Sequence, residues 1–440
     1  VLNFVLFRHN PEQDFFMSLT TRDSSIIWHP YTQMQTALPP IGIVRGEGAW
    51  LYEETGLRYL DAISSWWTNI HGHAHPYLAE KIHAQALTLE HLIFAGFTHE
   101  PAVHLAEMLL SVLPSGQERV FYSDNGSTAV EVALKMALQY WHNKGEKRTK
   151  IIALKEAYHG DTFGAMSVSG RSAFTGPFDS LLFDVYFVEA PLPGKEALAF
   201  QEMKSLLAVH GNEVAAFLYE PLVQGTAGMR MMNADGLNAL VSLCQEQNII
   251  CMADEVMTGF GRTGKMFASE HLTVKPDVVC LSKGLTGGMM ALGVTTCTRR
   301  IYDAFLSEDK MKTFFHGHSY TANPIACAAG IASLELFEKE ETLLRVLHLE
   351  AKHKAFAEKL KGHKALKELR LLGVILVLEL NGDTSYFNSI RDKAYSFFLE
   401  KGILIRPLGN VIYLMPPYCI SDPDLDYIYS TLLQFINEQP

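Results

Sequence analysis

Asp254 and Lys283 are the residues whose type and setting speak most directly of chemistry. Asp254 stands at the end of the apolar run Ile249-Ile250-Cys251-Met252-Ala253. Lys283 follows the next such run, Val278-Val279-Cys280-Leu281, after a single serine. In α/β sheets, ligands bind beyond the carboxyl ends of the strands. An amine and a carboxylate delivered there by successive strands match what pyridoxal phosphate requires. The lysine amine attacks the aldehyde. The carboxylate keeps the pyridine nitrogen protonated, so that the ring acts as an electron sink. Either residue alone reads as a solvated loop charge, and the ordered pair is what carries the signal.

A phosphate group needs its own cradle. Ser123-Asp124-Asn125-Gly126-Ser127-Thr128 follows a short apolar run and opens a helical pattern from Ala129 to Tyr140. Gly126 permits close backbone approach, and a helix N-terminus offers free N–H groups to an anion. Thr128 with Glu131 also fits a capping box, the structural alternative for this stretch. A second glycine run, Gly259-Phe260-Gly261-Arg262-Thr263-Gly264-Lys265, imitates nucleotide-binding motifs. Met266 stands where a P-loop needs Ser or Thr, and Lys265-Met266-Phe267-Ala268 does not open a helix as a dinucleotide fingerprint would, so nucleotide binding is the remote alternative. The histidines of His71-Gly72-His73-Ala74-His75 and His316-Gly317-His318 lack acidic or thiol neighbours and read as turns with satisfied side chains, not as a metal site.

The elements that must position these residues fall into three regions. With 440 residues the chain exceeds what one core usually organises. Residues 17–75 are rich in aromatics and turns and contain a hairpin, Gly48 to Tyr52 against Arg58 to Asp61. Residues 76–330 alternate short apolar runs, at Val120, Ile151, Ala216, Ile249, Val278 and Gly293, with helical patterns such as Asp235 to Gln247. That texture predicts a mostly parallel sheet covered on both faces by helices, an α/β large domain. Residues 331–440 carry helical patterns at 323–361 and 385–401 with strands such as Val374 to Leu378. They suit the C-terminal part of a smaller α+β domain whose N-terminal part is 17–75. Residues 1–16 precede Met17-Ser18-Leu19, a natural start, and read as an extension without a structural role.

Composition excludes other classes. A net charge of −11 argues against nucleic acid as the main partner. No apolar stretch approaches the ~18–20 residues of a membrane helix. Six cysteines without a CxxC pair, several inside apolar runs, read as buried thiols of a reducing, cytoplasmic setting.

Taken together, Ala253-Asp254-Glu255-Val256, Thr258 to Gly264 and Leu281-Ser282-Lys283-Gly284 resemble the signature of the class III, or ω-type, aminotransferases, and the likeness runs from about Trp28 onward. Four further stretches narrow it: Trp28 to Met34, Ser64-Ser65-Trp66-Trp67, Glu220 to Met231 and Arg406 to Tyr418. They are similar to the branch of the class that passes an amino group from S-adenosylmethionine to 8-amino-7-oxononanoate, giving 7,8-diaminononanoate in biotin synthesis. Another class III ω-aminotransferase or an aminomutase is the alternative.

The resemblance implies fold type I of the pyridoxal-phosphate enzymes and a homodimer with shared active sites and small-molecule substrates. It implies that Gly126 and Ser127 hold the phosphate, Tyr158 stacks on the ring, and Glu220 lies near the ring hydroxyl. Asp254 then takes the ring nitrogen, and Lys283 is the Schiff-base lysine and proton shuttle. Tyr31, Trp66, Trp67, Gly317 and Tyr413 belong to the substrate pocket, and Arg406 receives the acid's carboxylate. Relatives carry Pro-Thr where this chain has His318-Ser319, and the resemblance makes Ser319 a phosphate ligand donated to the neighbouring subunit.

Overall fold

A computed structural model describes residues 17–439; the extension expected over 1–16 lies outside them. The centre is a seven-stranded sheet. Its strands are Gln117–Ser123 (β1), Lys150–Leu154 (β2), Val185–Val188 (β3), Val214–Tyr219 (β4), Ile250–Asp254 (β5), Val278–Leu281 (β6) and Gly293–Thr298 (β7). The spatial order is β1-β7-β6-β5-β4-β2-β3. Strands β2 to β6 run parallel, whereas β7 pairs antiparallel with both β6 and β1. Every residue of β4, β5 and β6 is buried. That explains why their sequences are apolar runs, broken only by Asp254 at the end of β5: a parallel sheet sandwiched by helices has no solvent face to alternate with.

The sheet differs from the sequence reading in two places. β3, Val-Tyr-Phe-Val, is an edge strand of four residues that apolar patterning passed over. β7 is reversed, and strand direction leaves no mark on side-chain pattern. The Asp235 to Gln247 pattern is the helix Ala234–Glu246, crossing from β4 to β5 and capped by Asn233. The long pattern at 323–361 is two helices, Pro324–Lys339 and Thr342–Leu360, separated at Glu341, whose φ is +50°.

Three smaller sheets accompany this centre among the described residues: a two-stranded one, Val223–Gln224 with Arg230–Met231, and two larger ones. The expected hairpin is present, with Trp50–Glu53 against Arg58–Asp61. Ile403–Leu404 adds in parallel to Arg58–Asp61, so chain from the two ends of the sequence shares one sheet. Leu366–Leu372, Ile375–Leu380 and Val411–Leu414 form the other. Asp61 ends the hairpin buried: it accepts from the Ile63 N–H at 3.1 Å, the Ser65 hydroxyl at 3.1 Å and His73 Nε2 at 2.8 Å. These bonds hold the turn Ser64–Trp67, where Ser64, Ser65 and Trp67 all have φ between +51° and +65°. Three non-glycine residues in the left-handed region within one turn is strained backbone that surrounding contacts must impose.

Candidate active site

The carboxyl ends of β1, β2, β5 and β6 open onto one cavity of about 650 Å³, the size of a small-molecule site. Asp254 is the last residue of β5 and lies in register with Cys280 of β6, three residues before Lys283. Both line the cavity with Gly126, Ser127, Tyr158 and Glu220. The parallel register of β5 and β6 is therefore what delivers amine and carboxylate to the same place.

Lys283 opens a single 3-10 turn and carries a φ of +46°. Its Nζ stands 5.2 Å from the Trp67 ring centroid. Burial pushes the Lys283 ammonium below the usual lysine range; Asp254 and Glu220 oppose that shift and Arg262 adds to it. An amine in that state is nearer to the free base that nucleophilic attack needs.

Asp254 accepts two hydrogen bonds. His159 Nδ1 lies 2.7 Å from Oδ2, and the Val256 N–H lies 3.0 Å from Oδ1. The carboxylate fixes the histidine hydrogen on Nδ1, because a carboxylate accepts only. His159 Nε2 is buried without a hydrogen-bond partner. Among the described residues no cluster of metal-ligating side chains occurs, and the histidines of 71–75 have protein partners: Ser333, Asp61 and Glu340.

The helix expected to cradle a phosphate is Gly126–Asn143 (α1), entered from β1. Its cap differs from the expected one. Asn125 accepts from the Thr128 N–H at 3.0 Å while the Thr128 hydroxyl accepts from the Asn125 N–H at 3.1 Å. The helix therefore begins at Gly126, not Ala129, and Glu131 instead binds Thr162 and the N–H groups of Gly164 and Ala165. Gly126 and Ser127 are the first two helical residues, whose N–H groups have no partner within the helix. Glycine is needed on both walls. A Cβ on Gly126 would stand 2.7 Å from Val256, and one on Gly160, where φ is +131°, would stand 2.1 Å from the Ser127 hydroxyl. This narrow, donor-lined recess suits a phosphate ester, and Asp254 and Lys283 share its cavity, so the residues present fit pyridoxal phosphate.

Glu220 is buried beside them, accepting from the Tyr158 N–H at 3.1 Å and the Gly225 N–H at 2.9 Å. Burial pushes its carboxyl up from 4.5 to about 7, with Asp254 adding to the shift and His159 and the two N–H groups opposing it. Between those values the unfolded chain has released a proton that the folded chain keeps, so this group makes the cofactor-free protein less stable as pH rises from 4.5 to about 7. Glu220→Gln removes that dependence. The stability of the variant relative to wild type, read from urea midpoints, is expected to rise by roughly 2–3 kcal/mol across the window. A difference that does not change with pH would contradict this.

Of the residues expected in the substrate pocket, Trp67 lines the cavity, and Tyr31, Trp66 and Arg406 lie outside its lining. Trp67 Nε1 donates to the Tyr413 hydroxyl at 2.9 Å, so Tyr413, buried, braces Trp67 from behind and does not line the cavity. The Arg406 guanidinium lies 4.6 Å over the Trp66 ring, and Trp66 meets Tyr31 at 5.9 Å. The Tyr31 hydroxyl bonds Asp161 and lies 3.4 Å from the Tyr158 hydroxyl. Gly317, His318 and Ser319 do not line the cavity of their own chain; the Thr321 hydroxyl and the Lys135 ammonium hold their segment.

The imitation nucleotide motif is packed shut. Gly261 sits against Tyr418 and Val346, and Arg262 between the glycines is buried, donating to the Trp67 carbonyl at 3.0 Å. His159 and Asp161 line the cavity, and sequence reasoning did not single them out. They sit in the same post-β2 turn as Tyr158, and that position beyond a strand end was the available signal.

The large sheet and the lysine and carboxylate at its edge define a fold type I pyridoxal-phosphate enzyme. The family model described as aminotransferase class-III matches residues 31–436. An adenosylmethionine-8-amino-7-oxononanoate aminotransferase from Synechococcus elongatus is 48% identical over 94% of this chain and 98% of its own. One from Geobacter sulfurreducens is 42% identical over 94% and 96%. The crystal structure of the enzyme of that name from Methanocaldococcus jannaschii superposes with a TM-score of 0.90 at 40% identity, covering 96% of this chain and 98% of that one. The chain belongs to the class III aminotransferase family and is a pyridoxal-phosphate-dependent aminotransferase.

Proposed function

We propose that this enzyme transfers an amino group from S-adenosylmethionine to 8-amino-7-oxononanoate, giving 7,8-diaminononanoate. The observation that carries the reading is an aromatic path with a basic side chain at each end. Trp67 faces the Lys283 amine at 5.2 Å, and its neighbour Trp66 carries the Arg406 guanidinium at 4.6 Å. An acid with a long aliphatic chain and its reacting carbonyl remote from the carboxylate fits such a path. The names of the relatives support the same substrates.

Each residue then has a task. Gly126 and Ser127 bind the phosphate through N–H groups, Tyr158 covers the ring, and Asp254, oriented by His159, holds the proton on the ring nitrogen. Bound there, pyridoxal phosphate supplies an aldehyde that accepts the amino group and a ring that takes up an electron pair. Lys283 holds and moves the proton at Nζ. Arg406 receives the carboxylate with a two-pronged fork. Trp66, Trp67 and Tyr31 exclude water along the chain.

The working unit is a homodimer in this reading. Trp28, Ile26 and Leu87 are 86, 82 and 78% exposed, apolar surface that a second subunit would cover. Gly317, His318 and Ser319 are then offered to the partner's cofactor. Residues 17–75 and 331–440 form one smaller domain around 76–330, a division supported by the pairing of Ile403–Leu404 with Arg58–Asp61. Six free cysteines, five of them buried, support a cytoplasmic location.

The test is to supply 8-amino-7-oxononanoate with S-adenosylmethionine and, separately, with lysine, and to quantify diaminononanoate by mass spectrometry. Product with S-adenosylmethionine is expected. Product with lysine alone reassigns the donor, and no product alongside turnover of other ω-amino acids moves the chain to another class III reaction.

A further inference from the structure

A set of rings from three distant segments meets beside the site, joined to its lining through the Tyr31 hydroxyl on Asp161 and Tyr158, and none belongs to the core. Phe174 stands edge-on to Tyr31 at 5.8 Å and edge-on to Tyr386 at 5.0 Å, with Phe387 at 6.3 Å. Phe174 is 38% and Phe387 68% exposed. Ordering four partly exposed rings from loops costs entropy without filling the interior, which points to a local purpose.

The Tyr386 loop is built firmly. The Asn388 side chain donates to the Asp383 and Ser385 carbonyls, both at 2.7 Å, and accepts from the Arg391 N–H at 2.8 Å. The Arg391 guanidinium lies 4.9 Å over Tyr386 and 5.4 Å over Phe387. The loop also abuts the segment that carries Arg406. Gly409, three residues on, has a φ of +61°, and a Cβ there would stand 2.9 Å from the Ser385 carbonyl. The Tyr413 phenol feels both the Arg406 charge and the Tyr386 hydroxyl. Arg406, Trp66, Tyr31, Phe174 and Tyr386 thus form a continuous chain of contacts.

We infer that Phe174 and Tyr386 are specificity-determining residues: they form a clasp over the Arg406 end of the acceptor channel and set the length of acid chain the site accepts. The inference rests on the carboxylate role of Arg406 in the proposed function. A charge pair at a wet mouth is weak, and rings that exclude water strengthen it. A clasp made of edge contacts is also weak enough to open for entry.

The experiment compares Phe174→Ala, Tyr386→Ala and Tyr386→Phe with wild type. Acceptor KM is expected to rise about 3–10-fold in the alanine variants, the worth of one aromatic pair. Donor KM should change less, and the phenylalanine variant should recover the loss. A second reading needs no turnover. Straight-chain monocarboxylates from heptanoate to undecanoate are titrated into the protein and followed by tryptophan fluorescence, since Trp66 lies under Arg406. Wild type should prefer one length, and the alanine variants should lose that preference. If length preference and KM stay unchanged in both alanine variants, or if donor and acceptor KM rise equally, the clasp is refuted. If wild type makes no diaminononanoate but its length preference is lost in Tyr386→Ala, the clasp stands and the substrate assignment falls.

Discussion

Lys283→Ala is expected to lower turnover by about 10⁴-fold or more, the upper reach of a single positioned proton-transfer group. The position leaves no substitute. Lys283 sits where β6 ends, in a left-handed backbone conformation that aims Nζ into the cavity. Its one facing ring, Trp67, has no titratable atom to offer. Asp254 is engaged by His159 and the Val256 N–H, and Glu220 by two backbone N–H groups. Loss of folding will not confound the result, because burial destabilises the lysine's charged form and alanine relieves that cost. A thermal midpoint at or above that of the wild-type apoprotein is expected. Two signals then separate chemistry from structure. The visible absorbance of the bound cofactor should change, and borohydride treatment followed by intact mass should attach the cofactor to wild type but not to the variant. Near-normal turnover in the variant would remove Lys283 from its role.

How much of this was legible in the sequence depends on which features side-chain pattern encodes. Strands buried on both faces must be apolar throughout, so β4, β5 and β6 could be read directly, and with them the positions just beyond their ends. Asp254 and Lys283 follow from that alone. β3 lies at an edge with three of its four residues only partly buried, so it lacks the full burial that marks β6, a strand of the same length. The break at Glu341 carries no glycine or proline, since the left-handed φ there falls on glutamate. Asn125 displaced Thr128 as the cap because two reciprocal bonds fit between Asn125 and Thr128, while Glu131 had donors waiting at the start of the short helix Phe163–Ser167, more than thirty residues away. The service of His159 to Asp254 joins residues 95 apart in the chain, and the bracing of Trp67 by Tyr413 spans 346. Such pairings depend on the packing of whole elements, and local pattern does not record them. The resemblance to class III enzymes implied that Tyr413 belongs to the substrate pocket, whereas it stands behind Trp67 and outside the cavity lining.

Arg406→Ala is expected to reduce kcat/KM for the keto acid by roughly 30–150-fold, the loss of about 2–3 kcal/mol for hydrogen bonds to a charged group that keeps some contact with solvent. The effect should fall on KM for the acid, because the carboxylate lies far from the bonds that change and is held equally in the ground state and the transition state. Arg406→Lys should recover only part of the loss: the charge remains, but an ammonium lacks the planar fork that meets both oxygens and stacks on Trp66 at 4.6 Å. A donor without a carboxylate, such as a simple ω-amine, should show little change in its own KM. Equal increases for acid and amine would mean that the substitution disturbs the tryptophan wall as a whole, and that the carboxylate is bound elsewhere. Raising ionic strength supplies an independent check. Acid KM in wild type should increase with salt, since the guanidinium is only partly buried and screening reaches it, and Arg406→Ala should abolish that dependence.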